Sequence, residues 1–111
     1  MNDLLNKKCE PCEGGISAFD LSEIHKYQKK VNGWDVVQKK DKIYTLEKNF
    51  TFKNFLLSQN FVNEVGKISE SEGHHPDISF GWGYCKVKIF THAIKGLAES
   101  DFILAAKIDK I

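Results

Sequence analysis

The sequence contains little cysteine and little proline, with three cysteines and two prolines among its 111 residues. An odd number of cysteines argues against a framework of disulfide bonds and favours a reducing compartment. Eight glycines, 41% hydrophobic residues and 28% charged residues are ordinary for a globular chain, so they exclude a collagen-like, disordered or low-complexity protein. Domains usually hold roughly 100–200 residues, and the length therefore predicts a single domain.

Three further features that the sequence lacks narrow the class of function. Its apolar runs fall short of the ~20 residues that a membrane-spanning helix needs. The first ten residues lack the apolar core of a secretory signal peptide. Sixteen basic residues against fifteen acidic ones leave a formal net charge of +1, too little for a strong nucleic-acid or membrane-surface footprint. We therefore expect a cytoplasmic protein that binds neither nucleic acid nor membranes.

Hydrophobic periodicity predicts three helices and four strands. Residues 1–19 show no periodicity and contain Pro11, Gly14 and Gly15, so they are predicted to form an irregular N-terminal arm. Residues 20–111 are predicted to form one domain. Its predicted elements are a helix over 20–30, strands over 34–38 and 43–48, a helix over 51–69, strands over 77–80 and 84–91, and a helix over 98–109.

Two of these elements carry a clear apolar face. The second helix is predicted to begin at Thr51 and to bury side chains that recur at three- and four-residue steps, namely Phe52, Phe55, Leu56, Phe61, Val62 and Val65. The last strand alternates between two faces. One face is apolar and comprises Cys85, Val87, Ile89 and Thr91, whereas the other comprises Lys86, Lys88 and Phe90.

The order of the elements is α-β-β-α-β-β-α, and the strands arrive as hairpins. This order predicts an α+β fold with a four-stranded antiparallel sheet and three helices on one face. The face of the sheet without helices would need shelter. We therefore expect several copies of the chain to associate.

The segment Cys9-Glu10-Pro11-Cys12 is a Cys-x-x-Cys pair, which in other settings binds zinc or acts in redox chemistry. A structural zinc site usually needs a second pair, and a redox pair usually sits between a strand and a helix. This pair lies in the predicted arm instead, so we expect no bound metal. Cys85 lies on the apolar face of a strand and is expected to pack as a small hydrophobic residue.

Three of the four histidines, His74, His75 and His92, fall within nineteen residues. The periodicity places the first two in a loop after the second helix and the third at the end of the last strand. Imidazole has an unperturbed pKa near ~6.5, which suits general acid–base catalysis at neutral pH. A three-histidine zinc site and plain surface histidines are the alternatives. The chain has neither a Gly-x-Ser-x-Gly elbow nor a glycine-rich phosphate loop.

The spacing of the histidines resembles the signature of the pterin-4a-carbinolamine dehydratase family. Glu70 is followed after three residues by His74-His75-Pro76, after five more by Trp82, after nine by His92 and after eight by Asp101. Flanking segments are similar as well, and the resemblance covers about residues 20–109. The family has the α+β fold that the periodicity predicts.

The resemblance implies a lyase, more closely a hydro-lyase. Members of the family dehydrate 4a-hydroxytetrahydrobiopterin, the pterin-4a-carbinolamine, to quinonoid dihydropterin and water. The reaction recycles the pterin cofactor of aromatic amino acid hydroxylases, so coupling to such a hydroxylase is expected. The pterin is the substrate, and the resemblance implies no cofactor. Because members of the family are dimers or tetramers, the resemblance also implies a homodimer or homotetramer.

The resemblance also implies roles for individual residues. His74 and His92 are implied to supply acid–base function and His75 to contact the pterin and assist. Glu70 is implied either to orient a histidine or to hold the charge of the site. The substrate is expected to contact Gly73, His74, His75, Phe90, Thr91, His92 and Ala93. Asp101 is expected to serve the start of the last helix, with Ala98 in place of the usual Ser or Thr cap. Trp82 is expected in the core, with a place in a cavity wall as the alternative.

The resemblance carries an alternative function as well. Mammalian relatives also act as dimerization cofactors of a homeodomain transcription factor. A protein-binding dimerization cofactor, or transcriptional coactivator module, is therefore the second hypothesis for this chain.

Overall fold

The predicted order of helices and strands is confirmed in the computed structural model, which describes residues 3–9 and 17–111. Two short 3-10 turns, Asp3–Asn6 and His92–Ile94, accompany the regular elements. The regular elements are α1 (Leu21–Gln28), β1 (Asp35–Gln38), β2 (Tyr44–Thr51), α2 (Phe55–Glu72), β3 (Asp77–Gly81), β4 (Tyr84–Ile89) and α3 (Glu99–Ile108). Within the described ranges, none of the helices is both long enough and apolar enough to cross a membrane.

The four strands form one antiparallel sheet in the order β1-β2-β4-β3. The two central strands put their alternate apolar side chains on the helix side, as the alternation predicted for β4. Leu46 lies opposite Ile89 in the register of β2 and β4, and both are fully buried. Cys85 and Val87 are fully buried on the same face. The core between sheet and helices is completed by Phe61, Val65, Phe102, Ile103 and Leu104.

The other face of the sheet is polar and charged. At its centre Glu47, 7% exposed, accepts a hydrogen bond from Thr45 and forms ion pairs with Lys39 (2.6 Å) and Lys86 (3.3 Å). Lys88 reaches toward Asp77 on the neighbouring strand. Because charged groups are well solvated, this face does not need the shelter that motivated the expectation of an oligomer. The oligomeric state stays a prediction.

The contribution of Glu47 to the free energy of unfolding is expected to depend on pH in the acid range. Burial by itself would raise the pKa of Glu47, but hydrogen bonds from Lys39, Thr45 and Lys86 outweigh it and lower the pKa from 4.5 to about 2. The ionised carboxylate therefore stabilises the fold above its ordinary pKa, and this contribution is lost as the pH falls toward about 2. In denaturant titrations the parent should lose its stability advantage over Glu47→Gln between about pH 5 and pH 2. A difference in unfolding free energy that does not change with pH would contradict this account.

The start of α2 differs from the prediction. Thr51 is not the N-cap, because β2 continues through Thr51, which pairs with Tyr84 of β4. Asn54 caps the helix instead, and its side chain accepts a hydrogen bond from the backbone N–H of Leu57 at 2.9 Å. The helix then presents Phe55 and Leu56 to solvent, 46% and 61% exposed, so their predicted place in the core is wrong.

Part of the predicted N-terminal arm packs into the domain. Leu4 is fully buried and belongs to the same core as the sheet and helices. Lys7 forms an ion pair with Glu99 at 2.9 Å, which joins this segment to the first residue of α3. The predicted boundary at residue 20 stays a prediction, but residues 3–9 share the core of the domain.

Candidate active site

The loop that carries two histidines is set by the end of α2. Gly73 caps the helix with φ +65°, a left-handed conformation that favours glycine over residues with a Cβ atom. Its N–H donates to the carbonyl of Glu70, and the N–H of His74 donates to the carbonyl of Ser69. The chain therefore turns sharply after Glu72 and delivers His74 and His75 just beyond the helix.

Asp101 connects this loop to the end of β4. The side chain lies in the first turn of α3 and is fully buried. One carboxylate oxygen, Oδ1, lies 2.7 Å from Nε2 of His74. The other, Oδ2, accepts hydrogen bonds from Oγ1 of Thr91 and from the backbone N–H of Ala98, both at 2.8 Å. We call Asp101, His74 and Thr91 the Asp101 network.

The network determines which nitrogen of His74 is available. A carboxylate only accepts hydrogen bonds, so Nε2 of His74 must carry the proton that is shared with Asp101. The neutral ring therefore keeps its lone pair on Nδ1. With its side chain 15% exposed, His74 is anchored by its buried partner and still reaches the surface. An anchored imidazole that reaches the surface suits proton transfer.

The end of β4 holds the other predicted substrate contacts. Thr91 and Gly96 bridge through two backbone hydrogen bonds, 2.8 and 3.3 Å long, which close a tight loop. Within the loop, His92 begins the 3-10 turn and is exposed, as is Ala93. The ring of Phe90 packs against the ring of His92 with centroids 4.2 Å apart. Phe90 thus limits the orientations open to the His92 imidazole.

The remaining predicted pair lies on the surface. Nε2 of His75 lies within hydrogen-bond distance of the carboxylate of Glu70, one turn back on α2. Both side chains are well exposed, at 59% and 79%. Exposed pairs of this kind contribute little to stability, typically 0–1 kcal/mol. Glu70 thus contacts His75, and its orienting role stays a prediction.

One expectation about a single residue is confirmed and extended, and another is wrong. Asp101 does serve the start of α3, because it accepts the N–H of Ala98, but it is also the buried acceptor for His74 and Thr91. The sequence signature contained Asp101, yet its local position favoured the helix-start role. Trp82 is 72% exposed in the turn between β3 and β4, so its predicted place in the core is wrong.

No cluster of three or more His, Cys, Asp or Glu side chains is arranged to hold a metal ion within residues 3–9 and 17–111. Of the Cys-x-x-Cys pair, Cys12 lies outside the described residues. Burial, aided by the neighbouring Glu72 carboxylate, raises the pKa of Cys9 to about 12. A thiol of such high pKa is a poor nucleophile and a poor metal ligand.

The site is thus a histidine held by a buried carboxylate, where the loop after α2 meets the end of β4 in an α+β domain. Residues 17–111 match the family model described as pterin 4 alpha carbinolamine dehydratase. The chain belongs to this family. A relative from Rubrobacter xylanophilus, named for the same family, is 42% identical over 100% of both chains. Another from Methylococcus capsulatus is 45% identical over 97% of this chain and 92% of its own.

Solved structures show the same fold. A protein from Brucella melitensis described as a transcriptional coactivator/pterin dehydratase superimposes with a TM-score of 0.76 at 23% identity, over 85% of this chain and 97% of its own. A pterin dehydratase-like protein, described as a RuBisCO assembly factor in the alpha-carboxysome, gives a TM-score of 0.60 at 25% identity. That match covers 71% of this chain and 88% of the other.

Proposed function

We propose that this chain dehydrates 4a-hydroxytetrahydrobiopterin to quinonoid dihydropterin and water, and so recycles the pterin cofactor of an aromatic amino acid hydroxylase. The Asp101 network is the observation that carries the proposal. It supplies a surface-accessible imidazole whose tautomer and orientation are set by a buried carboxylate, inside a chain of the dehydratase family.

The reaction needs two proton transfers. The C4a–O bond breaks and the hydroxyl leaves as water, which requires a proton donor. The proton on N5 is lost as the C4a=N5 double bond forms, which requires a proton acceptor. An imidazole does either at neutral pH without a metal, and each positioned acid or base typically contributes about 10²–10⁴ in rate.

His74 suits both transfers. In its neutral form Nδ1 accepts a proton, and once protonated there the same atom donates it. The Asp101 carboxylate stabilises the imidazolium that forms in between. We assign His92, which is exposed beside Phe90, as the second acid–base group of the reaction. His75, which contacts Glu70, is assigned to assist these two histidines.

The proposed binding surface is made of the two segments that flank the Asp101 network. A pterin ring is planar and rich in hydrogen-bonding groups, so it suits backbone amides and carbonyls at a strand end. The loop after α2 contributes Gly73, and the loop after β4 contributes Phe90, Thr91 and Ala93. The proposed substrate contacts are thus the residues that the resemblance implies.

The test is a coupled assay in which phenylalanine hydroxylase generates the 4a-carbinolamine. Adding the purified chain should accelerate disappearance of the carbinolamine in proportion to the protein concentration. Hydroxylase turnover with limiting pterin should rise as well. Disappearance at the uncatalysed rate at every protein concentration would remove the proposal.

A second candidate function is binding of a protein partner, and exposed apolar side chains favour it. Phe55, Leu56, Leu57 and Trp82 are 42–72% exposed, and we call them the apolar patch. Phe55 packs against Phe80 of β3, and the backbone N–H of Phe52 donates to the carbonyl of Gly83, so the start of α2 lies beside the β3–β4 turn. A coactivator and an assembly factor among the fold neighbours agree with such a role.

We expect the apolar patch to join copies of this chain into the proposed homodimer or homotetramer. Leu56→Asp replaces the most exposed aliphatic side chain of the apolar patch by a charged one. Sedimentation velocity should show the parent as an oligomer and the variant as a smaller species with unchanged circular dichroism. A monomeric parent without dehydratase activity would instead favour the binding module.

A further inference from the structure

Glu72 is placed where an isolated carboxylate is unfavourable. It is the last residue of α2, and the C-terminal end of a helix disfavours negative charge. The last turn of α2 contains no basic residue to offset it. The Glu72 side chain is nevertheless only 6% exposed. A carboxylate this buried needs strong partners from other parts of the chain.

Two partners from distant segments hold the carboxylate. Nζ of Lys107, in the last turn of α3, donates to Oε2 at 2.6 Å, and the backbone N–H of Cys9 donates to Oε1 at 2.9 Å. Burial by itself would raise the pKa of Glu72, but these hydrogen bonds outweigh it and lower the pKa. We call Glu72, Lys107 and Cys9 the Glu72 bridge.

The Glu72 bridge lies one residue away from the Asp101 network. Only Gly73 separates Glu72 from His74, and both side chains are anchored to α3. Glu72 is held by Lys107 near the end of that helix, and His74 is held by Asp101 in its first turn. The left-handed turn at Gly73 is therefore fixed on both sides by one rigid element.

The N-terminal segment strengthens this arrangement. Sγ of Cys9 donates to the carbonyl of Ser100 at 3.3 Å, next to Asp101 in sequence, while its N–H holds Glu72. The segment itself is anchored by Leu4 in the core and by the ion pair between Lys7 and Glu99. Residues 3–9 thus contact both structures that position His74, the end of α2 and the start of α3.

We propose that the Glu72 bridge positions His74 for proton transfer, so that Glu72 is a positioning residue of the dehydratase and residues 3–9 help to complete its active site. This inference rests on the proposed function. The bridge acts through the geometry of the loop, because the Glu72 carboxylate is occupied by Lys107 and by the backbone N–H of Cys9.

The experiment compares Glu72→Gln with the matched change Glu64→Gln. Glu64 lies on the same helix, 51% exposed, and pairs with Lys67. In Glu72→Gln an amide faces the Lys107 ammonium, which weakens the bridge with little change in shape. We expect kcat to fall about tenfold with KM within about twofold, since small misplacement of a catalytic group slows the chemical step. The ¹H–¹⁵N resonances of the His74 ring should shift, and Glu64→Gln should behave as the parent in both readouts.

A folded Glu72→Gln variant that keeps either the parent kcat or the parent His74 resonances overturns the proposal. If this variant does not fold, Lys107→Met, which retains the aliphatic stem, decides the matter by the same two readouts. If the parent chain lacks dehydratase activity, the proposed function fails. The His74 resonances, compared between Glu72→Gln and Glu64→Gln, then decide by themselves whether the bridge positions His74.

Discussion

Asp101→Asn is expected to lower kcat on the order of 10²–10⁴-fold, because it changes the tautomer of His74. The aspartate accepts three hydrogen bonds, from His74, Thr91 and the N–H of Ala98. An asparagine has one oxygen to accept with and one amide group to donate with. The oxygen is needed where two donors converge, so the amide group must face His74. Nε2 then becomes an acceptor, and the ring proton moves to Nδ1. The neutral ring therefore no longer has a lone pair on Nδ1 with which to accept a proton from the substrate.

The matched control for this change is Asp109→Asn. Asp109 follows the C-terminal end of α3, where it accepts hydrogen bonds from Trp34 and Lys48. Both variants lose a partly or fully buried charged acceptor, and each is expected to be destabilised by about 1–3 kcal/mol. Only Asp101→Asn should change kcat and the ¹⁵N shifts of the His74 ring. Equal kcat in the two folded variants would show that Asp101 acts in stability alone.

Replacing the two proposed acid–base residues by glutamine is the second change with a large expected effect. In His74→Gln the side-chain amide can still donate to Asp101, but it cannot carry a proton to or from the substrate. His92→Gln removes an exposed imidazole from the β4 loop. Each variant is expected to lose about 10²–10⁴ in kcat while the melting temperature stays near that of the parent. Steady-state kinetics and thermal melts on the same preparations measure both quantities.

The fourth histidine provides the control for these two variants. His25 is exposed on α1, and His25→Gln makes the same chemical change outside the proposed site. It should keep the parent kcat. Parent activity in either His74→Gln or His92→Gln would contradict the assigned role of that residue.

Most of the fold follows from local patterns. The alternation of Cys85, Val87 and Ile89 with lysines indicates one buried and one exposed face, and the structure has both. The first residue of α2 could not be predicted from local pattern, because Thr51 and Asn54 are both good N-caps. The choice between them depends on pairing of β2 with β4, which joins residues more than thirty positions apart. Helical periodicity likewise defined an apolar stripe without showing that Phe55 extends beyond the edge of the core.

The candidate site could be predicted as a set of residues but not as a network. Spacing and family resemblance identified His74, His92 and Asp101. The local position of Asp101 indicated a helix start, and its contact with His74 spans 27 residues and depends on the packing of α3. The role of residues 3–9 was hidden for a different reason. Leu4 lies in a segment without periodicity, so no pattern distinguishes it from an exposed leucine.

The proposed function assigns the proton transfers of carbinolamine dehydration to His74, which Asp101 holds, and to His92. The most direct measurement is the initial rate at which freshly generated 4a-carbinolamine disappears with the parent chain and with the double variant His74→Gln/His92→Gln. We expect the parent to accelerate the reaction in proportion to its concentration, and the folded double variant to give a rate close to the uncatalysed one. A parent that gives no acceleration, or a double variant that keeps the parent rate, would contradict this assignment.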